Sequence, residues 1–280
     1  MTERLSALFS LEDEVVVLTG GYGLIGSVLA NGLAELGARV AVIEPKQDDA
    51  RMRTLFGGAE NIAVFAADVT KRAQLERALT DIRARWGAPT GLVANAALDS
   101  APDAPAEENG PFETYPEASW DRVMELNAKG VFLCAQVFGA AMAEAGRGSI
   151  VNVGSIYGVV SPDQSLYEYR RKDGETFYKP VAYAASKSAL YNFTRYLAAY
   201  WGPKNVRANI VTFAGVFNDQ DPRFLEAYAK KIPLRRPGLE RLANMAAPED
   251  YLGAVAFLLS PASSYMTGAE LRVDGGFTAI

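Results

Sequence analysis

The sequence predicts an α/β protein built as a doubly wound parallel sheet. Three observations carry this. Short apolar runs rich in β-branched residues recur along the chain, as strands buried on both faces require. Longer stretches with helical periodicity separate them, so strand and helix alternate almost throughout. The first apolar run leads into a glycine-rich turn that opens a helix, the start of a strand–turn–helix–strand unit.

In chain order, Glu14 to Thr19, centred on Val15-Val16-Val17-Leu18, reads as the first strand. Gly20-Gly21-Tyr22-Gly23-Leu24-Ile25-Gly26 follows and opens a helix to about Leu36, closed by Gly37-Ala38. Arg39 to Ile43 is the second strand and ends at Glu44. The glycines let backbone amides and a helix N-terminus approach a pyrophosphate, and an acidic residue ending the second strand suits ribose hydroxyls. Ile62 to Ala67 is strand-like and runs into Asp68-Val69; Lys71 to Trp86 is an amphipathic helix. Leu92-Val93-Ala94 is a short strand running into Asn95-Ala96-Ala97. Leu98 to Pro116, rich in Pro and acidic residues, reads as a solvated loop at the sheet's edge. Trp120 to Ala145 is a long helix carrying Asn127, with Cys134 on its apolar side beside Val131 and Phe138.

Ser149 to Val153 is a strand leading to Gly154-Ser155. Ile156 to Ala182 is an unusual excursion holding Tyr157, Tyr167, Tyr169, Phe177, Tyr178, the basic run Arg170-Arg171-Lys172 and the turn signal Asp173-Gly174. Ala184 to Trp201 is a helix, and Val206 to Val211 a strand that leads to Ala214-Gly215. A flap over 216–247 contains a short helix, Pro222 to Ile232. Pro248-Glu249-Asp250 begins the last helix, to Leu259, with Pro at its N-terminus. Leu271 to Val273 is the final strand before Asp274-Gly275-Gly276. With no internal repeat and no linker, residues 1–280 read as one domain with an insert at 156–182.

Composition narrows the function. A net charge of −5 offers no basic excess for phosphates, so nucleic acid is not the expected partner. No apolar run reaches the ~20 residues a bilayer span needs. Met1 to Ser10 holds one basic residue and no long apolar core, so no signal peptide is read there. The single cysteine, Cys134, has no partner for an internal disulfide, which points to the cytoplasm. The absence of histidine removes His-based triads and most zinc sites, and no metal is expected.

The chemistry centres on Tyr183-Ala184-Ala185-Ser186-Lys187. Tyr183 and Lys187 stand four residues apart in a helical segment and so share a face. A free phenol ionises near pH ~10. An ammonium one turn away favours the phenolate, and a tyrosine tuned in this way exchanges a proton with an alcohol or ketone. The spacing alone is weak, since any helix with a surface lysine and a half-buried tyrosine can show it. Tyr167 and Arg171 repeat it, but a guanidinium fork suits carboxylates and phosphates instead.

Taken together, residues from about Asp13 to Phe277 resemble the short-chain dehydrogenase/reductase family in its compact, one-domain, Rossmann-type branch. Asp68-Val69 is similar to the family's adenine-contacting pair, and Asn95-Ala96-Ala97 to its turn under the nicotinamide ribose. Asn127, Ser155, Tyr183 and Lys187 match the family's catalytic residues, and Thr267-Gly268 with Val273-Asp274-Gly275-Gly276 its C-terminal signature. Ala214-Gly215 stands where the family usually has Pro-Gly. Three departures stand out. The turn Thr19-Gly20-x-x-Gly23-x-x-Gly26 has the spacing of the extended branch, with Leu24 where the compact branch has glycine. Ala94 and Ala97 replace the usual Asn and Gly. Ser155 and Tyr183 lie 28 positions apart, farther than in most members, so the extra residues should overhang the substrate site.

The resemblance implies hydride transfer between a nicotinamide and a secondary alcohol or ketone. In it Tyr183 exchanges the proton, Lys187 lowers its pKa and holds the nicotinamide ribose, Ser155 bonds the substrate oxygen and Asn127 supports a water leading from Lys187. The cofactor contacts implied are Gly20, Tyr22, Leu24, Ile25, Glu44, Asp68, Val69, Asn95, Tyr183, Lys187, Gly215 and Val216. Glu44 lies 18 residues after Gly26, and its carboxylate favours NAD over NADP; Lys46 is the nearby cation that would soften this. The substrate class stays open at a secondary alcohol or ketone, of which a sugar or polyol is one candidate. The turn, the insert and Gly215-Val216-Phe217-Asn218-Asp219-Gln220 are also similar to members of bacterial surface-sugar or nonulosonate pathways. In the insert, aromatics can stack on a sugar face and Arg170, Arg171 and Lys172 can meet an acidic group; a solvated excursion or a contact with a neighbouring subunit is the equal alternative. A homotetramer is expected from the resemblance and from broad apolar helix faces around Val131 and around Leu190 to Tyr200. The rival readings are a nucleotide-sugar epimerase or dehydratase, prompted by the glycine spacing, and a non-catalytic NAD(P)-binding regulator.

Overall fold

The structure is a computed structural model that describes residues 3–99 and 106–280. Its centre is a seven-stranded sheet of order β3-β2-β1-β4-β5-β6-β7 with every pairing parallel. The strands are β1 Val15–Thr19, β2 Arg39–Glu44, β3 Ile62–Ala66, β4 Gly91–Ala94, β5 Gly148–Ser155, β6 Val206–Phe213 and β7 Glu270–Val273. All five residues of β1 are buried, because helices cover both faces of the sheet.

The two-residue repeat divides each strand between two cores. Val16, Leu18, Val40, Val42, Val151 and Val153 pack with Leu29 and Leu33 of helix Leu24–Glu35 and with Val255 and Leu258 of helix Leu252–Leu259. Val15, Val17, Ala41, Ile43 and Ile150 pack on the other face with Leu75 and Ile82 of helix Arg72–Trp86 and with Phe138 and Trp201. Each such aliphatic side chain contributes roughly 1.5–3 kcal/mol by leaving water.

One long helix spans Glu117–Ala145 and contains two π-helical stretches, Glu125–Gly130 and Ala135–Gly139. Read by consecutive residues, no segment looked able to span a bilayer; by length and composition this helix is apolar enough to do so. Its apolar side lies in the core, where Val131, Cys134, Phe138 and Met142 are buried.

Two departures from the sequence reading have local causes. A helix at Asp49–Phe56 was not foreseen, because Phe56 is its one buried residue and it carries almost no apolar period. Its caps were visible: Asp48 accepts a hydrogen bond from the Arg51 amide, and Gly57 closes the helix at φ 60°. The described residues of the 98–116 loop are neither solvated throughout nor at an edge. They leave β4, a central strand; Glu108 is fully buried, and residues 100–105 lie outside the described residues. The insert is ordered, with short helical pieces at Ile156–Gly158, Gln164–Tyr167 and Glu168–Lys172.

β1 and β4 sit side by side where the chain's crossovers turn to opposite directions. Doubly wound sheets open a crevice at the carboxyl ends of such strands.

Candidate active site

At the end of β1 the chain enters the crevice through the glycine turn. Gly20 has φ +70°, and a Cβ on Gly26 would stand 2.0 Å from the Gly20 carbonyl oxygen, so the helix Leu24–Glu35 reaches the strand only with glycine there. Gly23 caps this helix without a side-chain hydrogen bond, which leaves first-turn amides facing the crevice. The cleft holds about 490 Å³ and is lined by Gly20, Tyr22, Leu24, Ile25, Glu44, Asp68, Val69, Asn95 and Val216 among others. An open cradle of amides with an acidic group opposite fits a dinucleotide.

Within the cleft the expected contacts differ in what occupies them. Glu44 ends β2 and accepts a hydrogen bond from the Tyr22 amide at 2.7 Å; burial raises its pKa, against the Tyr22 amide and Arg51, which lower it. Asp68 is held by the Thr70 amide and hydroxyl, both at 2.8 Å. The Asn95 side-chain amide donates to the Thr19 and Gly20 carbonyls at 3.0 and 3.2 Å, tying β4 to the turn. Leu24 is 48% exposed at the mouth. The cation beside Glu44 is Arg51, which donates to the Tyr22 carbonyl at 2.8 Å and lines the cleft. Lys46, the cation singled out from the sequence, does not line it. Arg51 was missed because it sits on the unforeseen helix.

Ile25 and Val216 line both this cleft and a second cavity of about 520 Å³, so the two spaces meet there. The second cavity contains Ser155, Tyr183 and Gly215. Ser155 closes β5; its backbone carbonyl accepts from the Tyr191 hydroxyl at 2.9 Å. Its own hydroxyl accepts from the Tyr157 amide at 3.2 Å and lies near enough to the Tyr183 phenol to lower its pKa. Tyr183 stands in the first turn of helix Val181–Trp201, and Lys187 follows one turn on. Lys187 is buried, donates from Nζ to the Val153 carbonyl at 2.8 Å, and lies 5.9 Å from the centre of the Tyr183 ring.

The electrostatics correct one expectation. Burial pushes the Tyr183 phenol up, the Asp99 carboxylate adds to this, and the Ser155 hydroxyl opposes it. Burial lowers Lys187 to about 8, which Asp99 partly offsets. The lysine therefore does not dominate the phenol; burial does. Asn127 is likewise committed elsewhere. Its side chain accepts from the Leu98 amide at 2.7 Å and donates to the Leu98 carbonyl at 2.8 Å and to Ser186 Oγ at 3.0 Å.

The insert and flap supply the cavity's outer wall: Tyr157, Tyr167 and Tyr169 from the first, Phe224 and Tyr228 from the second. Tyr157 and Tyr167 pack in one cluster behind this wall. The basic run does not act as a cluster. Arg170 alone lines this cavity and is paired with Glu175; Arg171 holds the Phe177 and Gln164 carbonyls; Lys172 pairs with Glu168 at the surface. Asp99 and Lys179, which the sequence reading did not single out, pair with each other at the cavity and sit beside Tyr183. Their signal was hidden by distance in sequence. A larger cavity of about 670 Å³ shares Tyr157 and Lys179, but neither Ser155 nor Tyr183 lines it.

Among known proteins, a family described as enoyl-(acyl carrier protein) reductase matches residues 23–278. A galactitol 2-dehydrogenase of Rhizobium johnstonii is 35% identical over 96% of this chain and 97% of its own. A 2-(S)-hydroxypropyl-CoM dehydrogenase of Xanthobacter autotrophicus is also 35% identical, covering 96% and 98%. An NAD-dependent glycerol dehydrogenase of Listeria innocua is 30% identical over 96% of each. A short chain dehydrogenase of Leptospira borgpetersenii solved with NAD+ superposes at TM-score 0.81 and 30% identity over 99% and 97%. A gluconate 5-dehydrogenase of Burkholderia cenocepacia solved with NADP and tartrate gives 0.81 at 26% identity over 99% of each.

Proposed function

This chain belongs to the short-chain dehydrogenase/reductase family, and on that premise we propose that it oxidises a secondary hydroxyl of a polyol or sugar, or reduces the matching ketone, with NAD. The observation that carries the reading is that Ser155 and Tyr183 line a cavity that shares Ile25 and Val216 with the nucleotide cleft, with Lys187 one turn beyond Tyr183 and 5.9 Å from its ring.

A bound nicotinamide supplies the hydride acceptor for the carbinol carbon. The residues handle the proton. Tyr183 takes it from the substrate hydroxyl as the C–O bond becomes C=O, and returns it in the reverse direction. Ser155, beside the phenol in the same cavity, shares the same substrate oxygen. Lys187 favours the phenolate by its charge, and the Val153 carbonyl fixes its ammonium. Asn127 acts as a positioning residue, holding the Leu98 backbone beside the cavity. The relatives named for polyols favour a polyol over the surface-sugar pathways that the sequence also suggested. Epimerase and regulator readings have no such support. The lone buried thiol of Cys134 is in keeping with the cytoplasm.

The test is reduction of NAD+ or NADP+ followed by absorbance over a panel of polyols, sugars and simple secondary alcohols. No cofactor reduction with any of them would end this reading.

We also infer a homotetramer. Tyr196 and Tyr200 are each 60% exposed and stack at 5.7 Å on helix Val181–Trp201, with Phe132 of the long helix 43% exposed. Exposed aromatic faces on such helices fit an interface between copies. Light scattering at micromolar concentration should report four chains; a monomer would refute the assignment.

A further inference from the structure

The second cavity is charged yet offers no spare charge. Among the described residues, four charged side chains line it: Asp99, Arg170, Lys179 and Asp221. Each is paired: Lys179 with Asp99, Arg170 with Glu175 at 2.5 Å, and Asp221 with Arg223 at 2.9 Å. An anionic substrate would have to draw Lys179 or Arg170 away from its carboxylate. That exchange gains little and leaves the displaced carboxylate without its partner. The remaining wall includes five phenols and Phe224, which offer flat apolar faces and hydroxyls to a neutral, hydroxylated molecule.

The Asp99–Lys179 pair is positioned from both sides. Asn127 grips both backbone groups of Leu98, which fixes the residue preceding Asp99. Gln164 grips Lys179, accepting from its amide at 2.8 Å and donating to its carbonyl at 3.2 Å. The Lys179 side chain is only 14% exposed, and its ammonium lies 5.6 Å from the centre of the Tyr183 ring. Among the described residues, the Asp99 carboxylate and the Lys179 ammonium have no other side-chain hydrogen-bond partner, so lone pairs and N–H groups stand side by side at the reacting end. Together they can accept from one hydroxyl and donate to the next.

We propose that Asp99 and Lys179 are specificity-determining residues that hold two neighbouring hydroxyls of a neutral polyol and exclude substrates carrying a carboxylate or phosphate. This rests on the dehydrogenase reading and narrows it. The relatives do not decide the matter, since their names include neutral polyols and the anions gluconate and tartrate.

Calorimetry on the full chain loaded with cofactor tests it, using matched pairs: galactitol against galactonate and threitol against threonate. The alditol should bind at least about tenfold tighter than its aldonate. Asp99→Asn frees the Lys179 ammonium, so the aldonate should gain and the alditol weaken, narrowing that ratio about tenfold or reversing it. Lys179→Met, which removes the cation, should weaken the alditol without any gain for the aldonate. Cofactor binding by each variant reports that the fold is intact. Lys172→Ala, at the surface, should leave the ratio unchanged. A wild type that binds the aldonate as tightly as the alditol, or binds neither, overturns the proposal; so does an unchanged ratio in Asp99→Asn. Failure of the dehydrogenase reading looks different: no cofactor reduction with any secondary alcohol, whatever the binding ratio.

Discussion

Replacing Tyr183 with Phe lowers kcat by at least ~10²-fold while cofactor binding stays close to wild type. The substitution removes one oxygen from a ring that otherwise keeps its place in helix Val181–Trp201. The lost oxygen is the one whose pKa Ser155 lowers. The pH profile provides a separate check. Burial and Asp99 hold the phenol above its ordinary range, so the phenolate forms only as pH rises. Alcohol oxidation by the wild type should therefore climb with pH on the alkaline side, and Tyr183→Phe should lose that climb. Tyr167→Phe is the contrast. Tyr167 walls the cavity, but the residue one turn on is Arg171, whose guanidinium holds the Phe177 and Gln164 carbonyls. Its removal should shift KM and keep most of kcat. Wild-type turnover by Tyr183→Phe in stopped-flow assays would remove Tyr183 from the chemistry.

Much of this architecture was legible because strand and helix periods are local. Val15 to Leu18 reads as a strand without knowledge of its neighbours, and in the sheet its alternate residues enter two different cores. The glycine turn was equally legible, since the close approach of Gly26 to Gly20 leaves a mark in sequence. Boundaries were less so. β5 and β6 extend beyond their apolar runs to Ser155 and Phe213, because paired backbone carries the strand past the pattern. Long-range pairs left no mark at all. Asp99 and Lys179 are separated by a loop, a long helix, a strand and most of the insert, yet they meet at the cavity. Arg170, Arg171 and Lys172 made the opposite error tempting. Adjacent in sequence, they point to three different partners, because successive residues of a helix face different directions.

The second large effect concerns the cofactor. Preference for NAD over NADP should be at least ~10²-fold in kcat/KM, since a charge clash across a contact costs several kcal/mol. The Glu44 carboxylate ends β2 in the cleft and is fixed by the Tyr22 amide at 2.7 Å, so it cannot easily turn away from a 2′-phosphate. The opposing influence is Arg51, whose guanidinium lies 5.2 Å from the centre of the Tyr22 ring and lowers the Glu44 pKa. With Glu44 present, Arg51 is partly neutralised by it. Glu44→Ala removes the clash and leaves the guanidinium free for a phosphate, so the gap should narrow chiefly through better use of NADP. Adding Arg51→Ala to that variant should take the gain away again, whereas Lys46→Ala should not, because Lys46 does not line the cleft. The measurement is kcat/KM for both cofactors with one common alcohol across the four proteins. Equal use of the two cofactors by the wild type would mean that Glu44 does not meet the ribose. A Glu44→Ala gain that survives Arg51→Ala would mean that a different cation receives the phosphate.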